Sequence, residues 1–173
     1  MTRIMAASAS AVRALTAAQA LPAAQAAQAL PAAQAARALP ALQAALAAED
    51  AAIFGYGVAG AHLSGTRKTA AEQAWTDHNE ARDTLTAMIS ALGGTPVAAQ
   101  AFYQLPFEVT DATSAVKLAA YLEEGLTRAY LGLVAVSETR LRTFGALAMQ
   151  GPAERAAFWR GSTEAFPGLN VPG

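Results

Sequence analysis

Apolar residues recur every three or four positions through most of the chain after Pro40, which is the spacing of amphipathic helices. We predict that a first helix begins at Pro40, because proline fits the first turn of a helix, and that it runs to about Leu63. Its apolar stripe carries Glu49 and Tyr56, seven residues apart and therefore on one face. A carboxylate on a buried stripe needs a partner there.

A second helix is predicted over residues 68–92, and the glycines and proline of residues 93–96 end it. Its inward stripe contains mostly apolar residues, among them Trp75. His78 and Arg82 lie on the same stripe, one helical turn apart. The second helix therefore offers an imidazole and a guanidinium to the carboxylate of the first.

A third helix is predicted over residues 112–136, with Thr110 or Asp111 as its cap. Two buried faces are compatible with its pattern, one following Glu123, Thr127 and Tyr130, the other following Leu118, Leu122, Leu126 and Leu133.

Glu123 and Glu124 are adjacent on this third helix. Neighbouring helical residues point about 100° apart, so at most one of the two side chains faces inward. The sequence does not decide which one.

A fourth helix is predicted from about Ser137, interrupted at residues 150–152 and resumed through Trp159, which we interpret as a packing anchor. Residues 97–109 have no sustained period and form a long connection. No strand is predicted. Two helices, a long crossover and two further helices predict an all-α, ferritin-like four-helix bundle.

The N-terminal part of the chain repeats itself. From Gln19 the units QALPAAQAA, QALPAAQAA and RALPALQAA follow one another, with a proline every nine residues. Proline interrupts a helix, and alanine and glutamine bury little surface. We therefore predict a low-complexity tail over residues 1–40 and a bundle domain over residues 41–169.

Composition excludes several classes of function. The chain has 173 residues, of which 12 are basic and 13 acidic, and this balance argues against a nucleic-acid partner. The absence of cysteine excludes disulfides and thiolate metal sites. No segment predicts a membrane span, and the N-terminus lacks the apolar run of a secretory signal, so we expect a cytoplasmic protein.

The candidate chemistry is that of a metal site in a helical bundle. The full dimetal set is a Glu from each of two helices and a Glu-x-x-His from each of the other two. Glu49, His78 and Glu123 or Glu124 supply part of this set, enough for a single iron or manganese ion. The residue three before His78 is Trp75 rather than Glu, so a complete set cannot be assigned.

The alternative is a buried polar cluster without metal. Glu49 would pair with His78 or Arg82, and Tyr56 and Tyr130 would lie beside them. Either arrangement satisfies a buried carboxylate. We favour the cluster because the ligands are too few for the usual site, and we predict no catalytic residue.

Several segments together resemble a known family, among them LAAEDAAIFGYGVAGAHL, YQLPFEVTD and LAAYLEEGLTRAYLGLVA. The chain is similar, over about residues 42–169, to a ferritin-like domain of uncharacterised function that is widespread in actinobacteria. The residues that match the polar pattern of that family are Glu49, Tyr56, His78, Glu123 and Glu124. The resemblance implies the fold and implies no activity.

Two functions therefore compete. One is a non-catalytic helical module that could form a homo-oligomer. The other is a metal-binding oxidoreductase or metal-handling protein with iron or manganese as cofactor. Metal bound at Glu49 and His78 would distinguish the second from the first.

Overall fold

The computed structural model describes residues 31–163, and within that range the regular secondary structure is all α-helix, with no strand. The predicted all-α class is confirmed. The helices are α1 (Ala32–Ala61), α2 (Gly65–Ala91), α3 (Ala112–Val134), α4 (Thr139–Ala148) and α5 (Gln150–Arg160). Residues 1–30 of the predicted tail, with the first repeat and the start of the second, lie outside the described residues. None of the described helices has the length and hydropathy to cross a membrane.

Helix α1 begins earlier than the sequence predicted. It starts at Ala32 and runs through Pro40, the predicted helix start. Packing explains why a proline is tolerated inside it. Ala38 and Leu42 on either side of Pro40 are buried in the core, and this burial offsets the loss of one backbone hydrogen bond.

Helices α1 and α3 form the centre of the fold and run antiparallel. The side chain of Glu49 meets Tyr130, and Tyr56, seven residues further along α1, meets Glu123, seven residues earlier on α3. Helix α2 packs along α1, and α4 and α5 pack along α3. The four polar side chains therefore lie where the two central helices face each other.

The fourth helical arm consists of α4 and α5, which meet at Met149. The predicted interruption at residues 150–152 is thus a break one residue earlier. The arm approaches α3 closely, since a Cβ atom at Gly145 would lie 2.6 Å from the Cβ atom of Leu133. A larger residue at position 145 would push the arm away from the core.

Helix α3 buries both of its candidate faces, because it packs between α1 on one side and the α4–α5 arm on the other. Glu123, Thr127 and Tyr130 are buried, and so are three of the four leucines, Leu118, Leu126 and Leu133. Its cap is Asp111, whose Oδ1 atom accepts a 2.7 Å hydrogen bond from the Ser114 backbone amide.

The long crossover is attached to α1 at two places. Gln43 donates to the Thr95 carbonyl (2.6 Å) and accepts from the Val97 amide (2.8 Å). About three turns further along α1, Phe54 packs against the rings of Phe102 and Tyr103. These contacts guide the connection along one side of α1.

Candidate functional site

Glu49 and Glu123 occupy equivalent positions on the two central helices. Each lies seven residues from a tyrosine on its own helix, and the antiparallel packing lets each tyrosine bind the carboxylate of the other helix. Tyr130 donates to Glu49 Oε1 and Tyr56 donates to Glu123 Oε1, both at 2.5 Å. All four side chains are buried.

His78 on α2 lies between the two carboxylates. Its Nδ1 atom is 2.7 Å from Glu49 Oε2, and its Nε2 atom is 3.3 Å from Glu123 Oε1. The residue is only 1% exposed. A neutral imidazole can donate from one nitrogen only, whereas a protonated imidazole donates from both. The geometry therefore fits an imidazolium that bridges two carboxylates.

Glu123 also contacts the arm formed by α4 and α5. Arg155 on α5 donates from Nε to Glu123 Oε1 at 2.6 Å. Three donors thus converge on one carboxylate oxygen, while Oε2 of Glu123 accepts no hydrogen bond from the described residues. Trp159, one turn after Arg155, donates from Nε1 to the Tyr56 hydroxyl at 2.8 Å. The cluster therefore connects α1, α2, α3 and α5.

The electrostatics follow from this arrangement. Burial by itself lowers the pKa of His78, but the neighbouring charges of Glu49 and Glu123 outweigh it and raise the pKa from 6.5 to about 9. Burial raises the pKa of Glu123, but Arg155 and His78 outweigh that effect and lower the pKa from 4.5 to about 2. At neutral pH the imidazole is protonated and Glu123 is ionised.

The two tyrosines stay neutral. Burial, and then the nearby charge of Glu123, raise the pKa of Tyr56 well above its usual value. Burial and the charge of Glu49 do the same for Tyr130. The phenols therefore act as hydrogen-bond donors.

Cations and carboxylates face each other in the cluster. The carboxylates of Glu49 and Glu123 face the cations His78 and Arg155, and Asp77 lies 3.7 Å from Arg155 at the edge of the cluster. A buried charge without a partner is strongly unfavourable, so each of these four groups depends on the others.

All residues of the cluster lie in a segment that matches a known sequence family. The family model described as Domain of unknown function (DUF4439) matches residues 41–171, which is most of the chain. The chain belongs to the DUF4439 family. Every member of the buried cluster lies inside the DUF4439 domain.

One solved structure is similar to this DUF4439 chain, and nearly all of the solved chain is matched. It is described as a conserved hypothetical protein, rv2844, from Mycobacterium tuberculosis. The two sequences are 32% identical, and the match covers 73% of this chain and 96% of that chain with a TM-score of 0.70. No curated protein matches the chain. Neither description names an activity.

Two of the candidate residues, Glu124 and Arg82, lie outside the cluster. Glu124 points away from Glu123 and accepts a 2.5 Å hydrogen bond from Arg160. Arg82 is about one-third exposed and pairs with Asp83 (2.8 Å), the next residue along α2. The cation that pairs with Glu49 is therefore His78 rather than Arg82.

Sequence reasoning missed Arg155 and gave Trp159 only a packing role. The two residues lie four positions apart and therefore on one face of α5, which is the only sign the sequence offers. The cation that reaches Glu123 is a guanidinium on a long side chain, which sequence spacing alone does not position.

The donor set of the DUF4439 domain does not fit the metal site that its helix order suggests. A histidine that binds metal must be neutral and must present a nitrogen lone pair. Here both nitrogens of His78 face carboxylate oxygens. The bare Glu123 Oε2 atom supplies a single additional ligand position. Within residues 31–163, no group of three or more His, Cys, Asp or Glu residues is arranged to hold a metal ion.

Proposed function

We propose that this DUF4439 domain is a non-catalytic, ferritin-like helical module. In it a protonated His78 takes the place between two carboxylates that a metal ion takes in dimetal bundles. The observation that carries the proposal is the pair of short distances from His78, 2.7 Å to Glu49 and 3.3 Å to Glu123.

The order of helices supports the ferritin-like architecture. Two helices joined by a short turn are followed by a long crossover and by two further helical segments, α3 and the α4–α5 arm. Bundles with one long crossover have this order, and they build their polar sites from facing helices. The carboxylates of this chain project from its two central helices in the same way.

Burial supports a structural role for the cluster. Glu49, His78 and Glu123 are each no more than 1% exposed, so a substrate has no direct access to them. A catalytic group must reach the reacting atoms of its substrate. The groups of this cluster reach each other instead.

The proposed role of the cluster is to fix the register of the helices. A one-turn slip of any helix would separate an acid from its cation in a dry interior, at a cost of several kcal/mol. Apolar contacts alone tolerate such slips better, because they are not directional. The cluster therefore selects one arrangement of a core that is rich in small alanines.

Two neighbouring substitutions test this proposal. Glu49→Gln removes the charge that faces His78, and we expect the free energy of unfolding to fall by about 1–3 kcal/mol. Asp50→Asn is the matched control. Burial raises the pKa of Asp50, so its neutral isostere should change stability by less than about 1 kcal/mol. Urea denaturation measures both effects.

Elemental analysis completes the test, on protein purified without a metal-binding tag. We expect no stoichiometric iron or manganese in the parent protein or in the Glu49→Gln variant. Stoichiometric metal in the parent that is lost in Glu49→Gln would replace the proposal with the metal-handling function. Equal stability of the parent and Glu49→Gln would remove the structural role of the carboxylate.

A further inference from the structure

The solvent-facing side of α1 carries no charged residue over most of its length. Between Ala38 and Ala61 the only ionisable acids are Glu49 and Asp50, and both are buried. A helix at the surface normally presents charged residues to water. Along one edge of this surface, Gln43 and Phe54 contact the crossover. The opposite edge borders α3.

The flank between α1 and α3 contains a groove and, beside it, a protruding ring. The groove has a volume of about 150 Å³, and its floor and walls include Ala48, Ala51, Leu122 and Gly125. Tyr121 at its edge is 51% exposed. A space of about 150 Å³ in a protein accepts a benzene ring. One face therefore presents both an aromatic knob and a hole of matching size.

No contact with the described residues requires a glycine at position 125. It lies in the middle of α3, where glycine is less favourable than alanine. Its φ angle is not positive, and a Cβ atom placed there would meet nothing within 4 Å. The absent side chain leaves room for a close approach from outside.

We propose that this face binds a second copy of the chain, with a two-fold axis near Gly125 of the two antiparallel α3 helices. A two-fold interface joins the same patch on both copies, so it needs a knob and a hole on one surface. Gly125 lies midway between Tyr121 and Arg128. The axis therefore places Tyr121 of each copy over the groove of the other, next to the other copy's Arg128.

Charge and area favour a second copy over other occupants. Arg128 is the one charged residue that lines the groove, and a guanidinium beside an aromatic ring is favourable. The face that spans α1 and α3 is roughly 25–30 Å long and about 20 Å wide, or roughly 500–600 Å² on each copy. Two such faces bury about 1,000–1,200 Å², the lower limit for specific association. Interfaces near this limit are typical of weak, transient association, so we expect dissociation in the micromolar range.

Sedimentation equilibrium of the full chain tests the proposal. Between about 1 and 200 μM we expect the mass to rise from the 17.7 kDa of one chain towards twice that value. Tyr121→Ala should raise the dissociation constant at least about tenfold, because interface aromatics dominate binding. Gly125→Glu should have an equal or larger effect, since it puts two charges at the axis.

Trp75→Ala is the matched control, since Trp75 is a similarly exposed aromatic residue (45%) on α2. It should leave the dissociation constant unchanged, and all three variants should keep the helical content of the parent. A parent chain that stays monomeric at 200 μM overturns the proposal. Equal weakening by Trp75→Ala and Tyr121→Ala, or assembly beyond a dimer, also overturns it. The proposal does not depend on the role of the buried cluster.

Discussion

Replacing Glu123 by alanine is expected to lower the free energy of unfolding by about 3–5 kcal/mol. Glu123 Oε1 accepts hydrogen bonds from Tyr56, His78 and Arg155. Without the carboxylate, a buried imidazolium keeps only one counter-ion and the guanidinium of Arg155 loses its closest one. This loss exceeds what a surface ion pair contributes, because little water is present to replace the missing charge.

The neighbouring residue provides the control for this experiment. Glu124 is identical in chemistry and adjacent on the same helix, but it forms one partly buried ion pair, with Arg160. Glu124→Ala should cost less than Glu123→Ala, about 1–2 kcal/mol, because a single pair is lost and its carboxylate is partly exposed. Chemical denaturation of the two variants measures the difference directly. Similar losses at positions 123 and 124 would mean that the buried cluster contributes no more than a single, partly buried ion pair.

The stability of the domain is expected to be greatest between about pH 4.5 and pH 6.5. The folded state raises the pKa of His78 from 6.5 to about 9, so its contribution is complete below pH 6.5 and is lost as the pH rises through 9. The folded state lowers the pKa of Glu123 from 4.5 to about 2, so its contribution is complete above pH 4.5 and is lost as the pH falls towards 2. Each loss amounts to about 3 kcal/mol.

Denaturation curves recorded across this pH range test the expectation. His78→Gln has no imidazole to titrate, so the decline between pH 6.5 and 9 should be absent or much smaller in that variant. The decline on the acid side should persist, because Glu123 still faces Arg155. An alkaline decline of equal size in His78→Gln would assign it to another group.

The helices were predictable because each has a sustained period and clear end signals. The boundary at Pro40 was not, because the local cost of an internal proline is offset by core packing that sequence pattern does not reveal. The face of α3 was ambiguous for a physical reason as well. A helix packed on two sides buries more than one stripe, so two patterns were both partly correct.

The site was less predictable than the fold. Glu49, Tyr56, His78 and Tyr130 were accessible from the sequence because they lie on inward stripes of predicted helices. Which of Glu123 and Glu124 faces inward depends on the rotation of α3 about its axis. The sequence of two adjacent glutamates does not determine that rotation. The position of Arg155 depends on how the fourth arm docks, a tertiary property with no local period.

The central claim is that a protonated His78 acts as the cation between Glu49 and Glu123. Nitrogen-15 NMR of the His78 ring tests it most directly, with substitution of His62, the second histidine of the chain, to assign the signals. Both ring nitrogens should be protonated at pH 7, should stay so until the pH approaches about 9, and should not respond to a chelator. A ring with one unprotonated nitrogen at pH 7, or a signal that changes when metal is removed, would contradict the claim.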